Sequence, residues 1–266
     1  MKIVVLRGGG PGRRRAPQRA GTRDRGVLAL GCGEGQWVLI NVSAAVAHQL
    51  DSDVSLDAHP GLGGASARAV VLTDAQVDHV GGLLSLRDGA PIDLYATPSV
   101  FESLTTALPV LPVLQHYCGV HWHVVPVAGD RRAASFRVEG MPSLEFTALA
   151  TAAPALPHAL GEHPRVGDSI ALAVRDLATG QRVFCAPGLA PLGGLAFDWM
   201  READCLLLDS PGEDESTPAD PLWMDLLRDL PARHKVLFGA EGAHGGPAAL
   251  AERGIAMAFD GMEIDL

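Results

Sequence analysis

The sequence predicts an α/β sandwich, with mixed sheets inside and helices outside. Two patterns carry that expectation. Short apolar runs of strand length recur along the chain, most of them ending in Gly, Pro, Asp or Ser. Hairpins come early, and strands alternate with helical stretches later. No linker divides the chain, so residues 1–266 read as a single domain.

The first strand is expected at 2–6 (KIVVL). Runs 26–30 and 36–42 flank GCGEG, a glycine-rich turn that reads as a hairpin. Further strands fall at 68–73, 92–97, 122–127 and 144–149. Runs 169–176 and 182–187 form a second hairpin around LATGQ, and 204–210, 235–240 and 255–261 complete the set. Among the helices, SAAVAHQL follows Ser43, a suitable N-cap. The helix from Val80 is apolar, and TPSVFESLTTAL places Ser99 and Glu102 at capping-box spacing. GGLAFDWMREA has helical apolar spacing, PADPLWMDLLRDLP is amphipathic with proline near each end, and GPAALAERG stops at Gly254. The acidic, proline-rich stretch 211–221 reads as an exposed loop.

A net charge of −10 argues against nucleic-acid binding, which needs a basic surface. One local run of arginines (Arg13, Arg14, Arg15, Arg19, Arg23, Arg25) either meets an anion or forms a mobile solvated loop. Four scattered cysteines, Cys32, Cys118, Cys185 and Cys205, form no CxxC pair, so neither a cysteine zinc site nor a disulfide framework is expected. Three of them lie in apolar surroundings and read as buried free thiols. The apolar start is too short for a signal peptide, and no run reaches the roughly 18–20 residues of a membrane span. The expectation is a soluble cytoplasmic protein. The glycines at 8–10 match neither a Walker loop nor a full GxGxxG, so no nucleotide site is expected.

The chemistry concentrates in VVLTDAQVDHVGGLLSLRDG, residues 70–89. Asp74, Gln76 and Asp78 fall two apart at the end of a strand, and His79 follows. Carboxylate with imidazole suits Zn(II) or Fe(II), although tight binding takes about three protein ligands. The plainer alternative makes Asp78 the cap of a helix beginning near Val80 and His79 a polar residue at a loop mouth. His121 and His123 flank Trp122 at strand alternation and offer a two-histidine face with no third ligand near in sequence; an edge strand's solvent face is the plainer reading. His158 and His163 lie in a loop that either borders the pocket or sits at the surface. Asp209 ends a buried strand, where a carboxylate lines a site or caps a turn.

Residues 73–79 resemble the signature of the coenzyme PQQ synthesis protein B family, in the metallo-β-lactamase superfamily. That superfamily carries His-x-His-x-Asp-His, and the PQQ family replaces the first two histidines to give Thr-Asp-Ala-Gln-x-Asp-His. The likeness continues through WVLINVSAAVAHQL (37–50), LYATPSVFESLTTALPVLPVLQHY (94–117), HPRVGDSIAL (163–172), ADCLLLDS (203–210) and ERGIAMAFDGMEIDL (252–266). It implies an αββα four-layer sandwich with a metal pocket at one edge between the sheets. It also implies a place in pyrroloquinoline quinone (PQQ) biosynthesis: Fe(II)-dependent oxygenation of a tyrosine-derived precursor, or handling and transport of PQQ or that precursor. On this resemblance Asp78 and His79 would be catalytic residues and metal ligands. Asp74 and Gln76 would meet substrate or support the ligands, and Asp209, read as a strand-end carboxylate, would meet substrate. The partners would be the small-molecule precursor and other proteins of the pathway.

The chain departs from the family pattern at three places. The family's Cys-x-Cys-x-x-Cys knuckle is replaced by GPGRRRAPQRAGTRD, so no structural zinc is expected. The segment after Asp209 is short and lacks the family's Gly-His. Gly239 stands where the family holds a ligand histidine, leaving His244 as the nearest substitute. Three expectations therefore compete: a pathway oxygenase using Fe(II) or Zn(II), a non-catalytic binding or carrier relative with a degenerate metal site, and a hydrolase of another substrate. The missing histidines at 74 and 76 weaken the third.

Overall fold

Alternation along strands builds two sheets that share an interior. The computed structural model describes residues 1–8, 25–32, 35–52, 59, 61–62, 68–152, 156, 158, 163–187, 194–210, 221–239 and 246–266. The first sheet holds β1 (Lys2–Arg7), β2 (Val27–Gly31), β3 (Trp37–Ile40), β4 (Ala69–Val71), β5 (Ile92–Ala96), β6 (Val120–Val124) and β14 (Met262–Asp265). Its order is β14-β1-β2-β3-β4-β5-β6, antiparallel up to β3 and parallel from there to β6. The second holds β7 (Ala133–Phe136), β8 (Leu144–Ala150), β9 (Ile170–Asp176), β10 (Arg182–Ala186), β11 (Cys205–Asp209), β12 (His234–Phe238) and β13 (Ala256–Met257). Its order is β13-β12-β11-β10-β9-β8-β7, antiparallel from β7 to β10 and parallel beyond.

Period-2 alternation divides the apolar residues between inner and outer faces. Ile3 and Val5 of β1, with Cys205 and Leu207 of β11, enter the core between the sheets. Val4 and Leu6 face outward to α1 (Ala44–Ser52), α2 (Val77–Val80), the 3-10 turn Gly81–Leu86, α3 (Pro98–Thr105) and α4 (Val110–Leu114). Leu206 and Leu208 face the opposite way, onto α5 (Gly194–Glu202), α6 (Pro221–Asp229) and α7 (Gly246–Glu252). The result is an αββα four-layer sandwich. Each fully buried aliphatic chain contributes about 1.5–3 kcal/mol.

Both expected hairpins form: Leu28 pairs with Ile40, and Arg175 with Arg182. Ser43 caps α1 by accepting from the Val46 amide. Other expectations need correction. The cap of α3 is Thr97, whose hydroxyl accepts from the Val100 amide at 3.2 Å, whereas the Ser99 hydroxyl turns to Asp168. The helix after the 70–76 stretch begins at Val77, not Val80, and tightens at Gly81. Gly82 is required there, because a Cβ would come within 2.3 Å of the Ser43 carbonyl oxygen. Of the expected strand 255–261 only β13 (Ala256–Met257) is extended, and β14 follows the run in the other sheet. Two cysteines are buried rather than three, and burial pushes the thiols of Cys185 and Cys205 up to about 12. Residues 211–220 lie outside the described residues. Among the described residues no helix is long and apolar enough to cross a membrane.

Two ties pin the sheets together where strands end. The Ile170 amide donates to the Thr73 carbonyl at 2.8 Å, and the Gly239 amide donates to the Gly8 carbonyl at 3.1 Å. They bring the chain after β4 and the tips of β11 and β12 to one edge.

Leu207 lies fully in the core between the sheets. Leu207→Ala is expected to cost about 2–5 kcal/mol in urea unfolding. Leu226→Ala, at a position 40 % exposed on α6, is expected to stay within about 0.5 kcal/mol. Equal effects would contradict the layer assignment.

Candidate functional site

The strand-end site is organised by Asn41, just past β3. It is the one described non-glycine residue in the left-handed region, at φ 62°, a conformation asparagine tolerates better than most. Its side chain is fully buried. Nδ2 donates to the Gly26 carbonyl at 3.2 Å and to the Thr73 hydroxyl at 3.0 Å, while Oδ1 accepts from the Thr73 amide at 3.0 Å. One side chain therefore fixes the approach to β2, the end of β3 and the turn after β4.

That turn holds Asp74 and His79 together. Asp74 Oδ1 lies 2.7 Å from His79 Nδ1 and accepts from the Gln76 amide at 2.9 Å; Oδ2 accepts from Gln76 Nε2 at 3.2 Å. His79 Nε2 lies 3.2 Å from the Arg25 carbonyl oxygen. Both ring nitrogens thus face acceptors, an arrangement that suits the doubly protonated ring. Burial disfavours that charge, but the Asp74 carboxylate and its hydrogen bond outweigh it, so His79 titrates above its ordinary value. Burial likewise opposes ionisation of Asp74, and His79 with the Gln76 donors reverses this to hold the carboxyl below its ordinary value.

Asp209 enters from the end of β11. Its carboxylate is 6 % exposed, and Arg25 Nε stands 3.0 Å from Oδ1. The contact is an ion pair rather than an aligned hydrogen bond, since Oδ1 has no partner of good hydrogen-bond geometry. Burial pushes the Asp209 carboxyl up to about 6, with Arg25 offsetting only part of the cost. The Arg25 guanidinium lies against Gly239: a Cβ there would fall 1.9 Å from one terminal nitrogen and 2.7 Å from Cζ. The space left by a missing side chain at 239 is filled by an arginine.

Among the described residues, those gathered at the strand ends leave few free donors for the Fe(II) or Zn(II) expected here. The cation facing Asp209 is a guanidinium, and both nitrogens of His79 are engaged. A lone free lobe on Asp209 falls short of about three ligands. Among the described residues, one group of three His, Cys, Asp or Glu donors gathers within 4.8 Å, and it is Asp93, His123 and Glu139, not a set containing Asp78 or His79.

Asp78 is partly buried in the first turn of α2; the cap position belongs to Gln76, so Asp78 does not cap the helix. Asp74 and Gln76 spend their polar atoms on His79 and on each other. His244 falls in 241–245, outside the described residues. His163 is exposed and His158 half-buried. Of the arginine run only Arg25 is described, and it is not a solvated loop residue: its side chain is 15 % exposed. Arg25 and Asn41 were not singled out by sequence as site residues. The available signals were a glycine just past a strand, which leaves room to fill, and an asparagine directly after a strand.

Residues 36–240 match the family model of the beta-lactamase superfamily domain. The coenzyme PQQ synthesis protein B of Methylobacillus flagellatus is 31% identical over 285 aligned positions, covering 96% of this chain and 92% of that one. The same-named protein of Klebsiella pneumoniae strain 342 is 32% identical, with 96% and 90% covered, and that of Pseudomonas syringae pv. tomato 33%, with 93% and 89%. Among solved structures, Zn(2+)-bound PqqB from Methylobacterium extorquens superposes with a TM-score of 0.74 at 21% identity, covering 100% of both chains. The short form of human tRNase Z gives 0.62 at 14% identity, covering 100% and 99%.

Two measurements check this geometry. By NMR, His79 is expected to titrate above 6.5, and Asp74→Asn to lower its midpoint. Because the folded pKa is raised, the stability that His79 contributes is complete below 6.5 and is lost as pH rises through the folded value. A midpoint unmoved by Asp74→Asn would count against the pairing. Gly239→Ala is expected to destabilise by about 2 kcal/mol or more, from backbone strain plus the clash. In an Arg25→Ala background only the strain, about 1–2 kcal/mol, should remain. An equal cost in both backgrounds would mean that the guanidinium does not fill this space.

Proposed function

The chain belongs to the coenzyme PQQ synthesis protein B family of the beta-lactamase superfamily and takes part in PQQ biosynthesis, and we propose that its part is to bind and hand on PQQ or a precursor at the strand-end cluster. The observation that carries this reading is the Arg25 guanidinium, set against Asp209 in the space opened by Gly239. Metal binding is supported at the level of the superfamily and by a Zn(2+)-bound relative. At this cluster, however, an ion would have to displace a buried arginine and find a third donor. Fe(II)-dependent oxygenation through Asp78 and His79 is therefore the weaker reading, since no described residue supplies that donor.

Asp209 and Arg25 offer a carboxyl and a guanidinium in a nearly dry setting, where each polar contact to a small molecule counts for more than in water. Asn41 and Asp74 hold the surrounding backbone and the His79 ring in place, which reduces the ordering cost of binding. Four free cysteines support a reducing, cytoplasmic setting. The precursor is the small-molecule partner in this reading, and the other proteins of the pathway are the macromolecular ones.

The test combines two titrations of the full chain. Equilibrium dialysis with PQQ is expected to show saturable binding at one molecule per chain, weakened by Arg25→Ala. Anaerobic Fe(II) titration is expected to show no iron whose retention depends on His79. Absence of PQQ binding would overturn the handling role. About one iron per chain, lost in His79→Ala, would restore the oxygenase reading instead.

A further inference from the structure

A second cluster of chemistry lies away from the strand ends, on the edge strand β6. Parallel pairing sets Asp93 beside His121 and Tyr95 beside His123. Alternation then separates the faces: Trp122 stacks on Phe101 with ring centroids 3.8 Å apart, on the helix side, while the two histidines share the inner side with Tyr95. At the sheet edge that inner side is only partly covered. His123 is 33 % exposed, Asp93 32 % and His121 66 %.

The donors converge on one point. His123 Nε2 lies 3.2 Å and His121 Nδ1 3.3 Å from the same Asp93 oxygen. Glu139 comes from the turn after β7, in the other sheet, and brings a carboxylate oxygen within 4.8 Å of the Asp93 and His123 donors. Its backbone is held there, because the Glu139 amide donates to the Tyr95 hydroxyl at 2.8 Å. Tyr95 also stacks on the His123 imidazole at 4.4 Å and 10° between planes. One aromatic side chain therefore orients a ligand ring from the first sheet and positions a carboxylate from the second.

We propose that Asp93, His123 and Glu139 form a site for a first-row divalent cation of the Zn(II) type that bridges the two sheets. Metal–ligand distances of about 2.0–2.2 Å in a tetrahedron put neighbouring donor atoms roughly 3.3–3.6 Å apart. The His123–Asp93 separation here is close to that edge length. The donor set, one imidazole and two carboxylates, suits zinc better than magnesium or calcium, which favour all-oxygen shells. Partial exposure gives the ion a path in and lets water complete its coordination. The site shares no residue with the strand-end cluster, so it stands whether or not the proposed handling role does.

Cobalt(II), with its visible ligand-field bands, is the probe, and Zn(II) is the competitor. Titrated into the full chain at neutral pH, Co(II) is expected to bind at one ion per chain and to be displaced by Zn(II). His123→Ala and Glu139→Gln should each weaken binding at least tenfold, and His79→Ala should leave it unchanged. Thermal melts of each variant without metal check that the fold is intact, and His123→Gln replaces any alanine variant that fails to fold. Absence of saturable binding, equal affinity in His123 and Glu139 variants, or loss confined to His79→Ala would each overturn the proposal.

Discussion

Two carboxylates from different sheets, Asp74 and Asp209, are buried at one edge of the sandwich, and their neutralisation governs the architecture of the strand ends. An isolated buried charge costs several kcal/mol, so each needs a partner of opposite sign or must take up a proton. Asp74 has His79, from the helix that follows it. Asp209 has Arg25, delivered by the segment that leads into β2. Asn41 makes both deliveries possible, because it fixes the Gly26 carbonyl and the Thr73 backbone to the same point. The two pairs are linked through the Arg25 carbonyl, which accepts from the His79 ring.

This arrangement separates fold from chemistry. The sandwich is held by three apolar cores that do not involve the polar edge, so charged groups there can be exchanged without loss of the layers. Gly239 illustrates the point. Removing a side chain at a strand tip inside a packed edge leaves a void, and a void without an occupant costs contact energy. A guanidinium fills it and also brings the positive charge that a buried carboxylate needs. Arginine suits such a place, because its charge is spread over a planar group that is less costly to dehydrate than an ammonium.

The layers were legible in the sequence because strand alternation and helical spacing are local. The runs at 2–6, 26–30, 36–42 and 204–210 each became strands whose alternate residues face opposite cores. The Thr-Asp-Ala-Gln-x-Asp-His stretch was legible as a site for the same reason, with its residues adjacent in the chain. Arg25 was not: it acts on a histidine 54 positions away and on Asp209 in the other sheet. Nothing local distinguishes it from the arginines that precede it. The edge cluster was half legible. His121 and His123 show their shared face by alternation, but Asp93 lies 30 positions before His123, and Glu139 arrives through a tyrosine hydroxyl from the opposite sheet. Long-range pairing of this kind is decided by sheet order, which short windows do not contain.

The two polar clusters also differ in what their surroundings allow. At the strand ends the donors are dry, and nearly every polar atom already has a partner within the protein. Binding an ion there means breaking those bonds first. At the β6 edge the imidazoles and carboxylates are half in water and share one oxygen between two rings, so an ion replaces weak, screened contacts with direct ligation. A buried donor set is therefore not a better metal site merely for being buried. It is better only if its atoms are left without internal partners, and at the strand ends His79 and Asp74 are not.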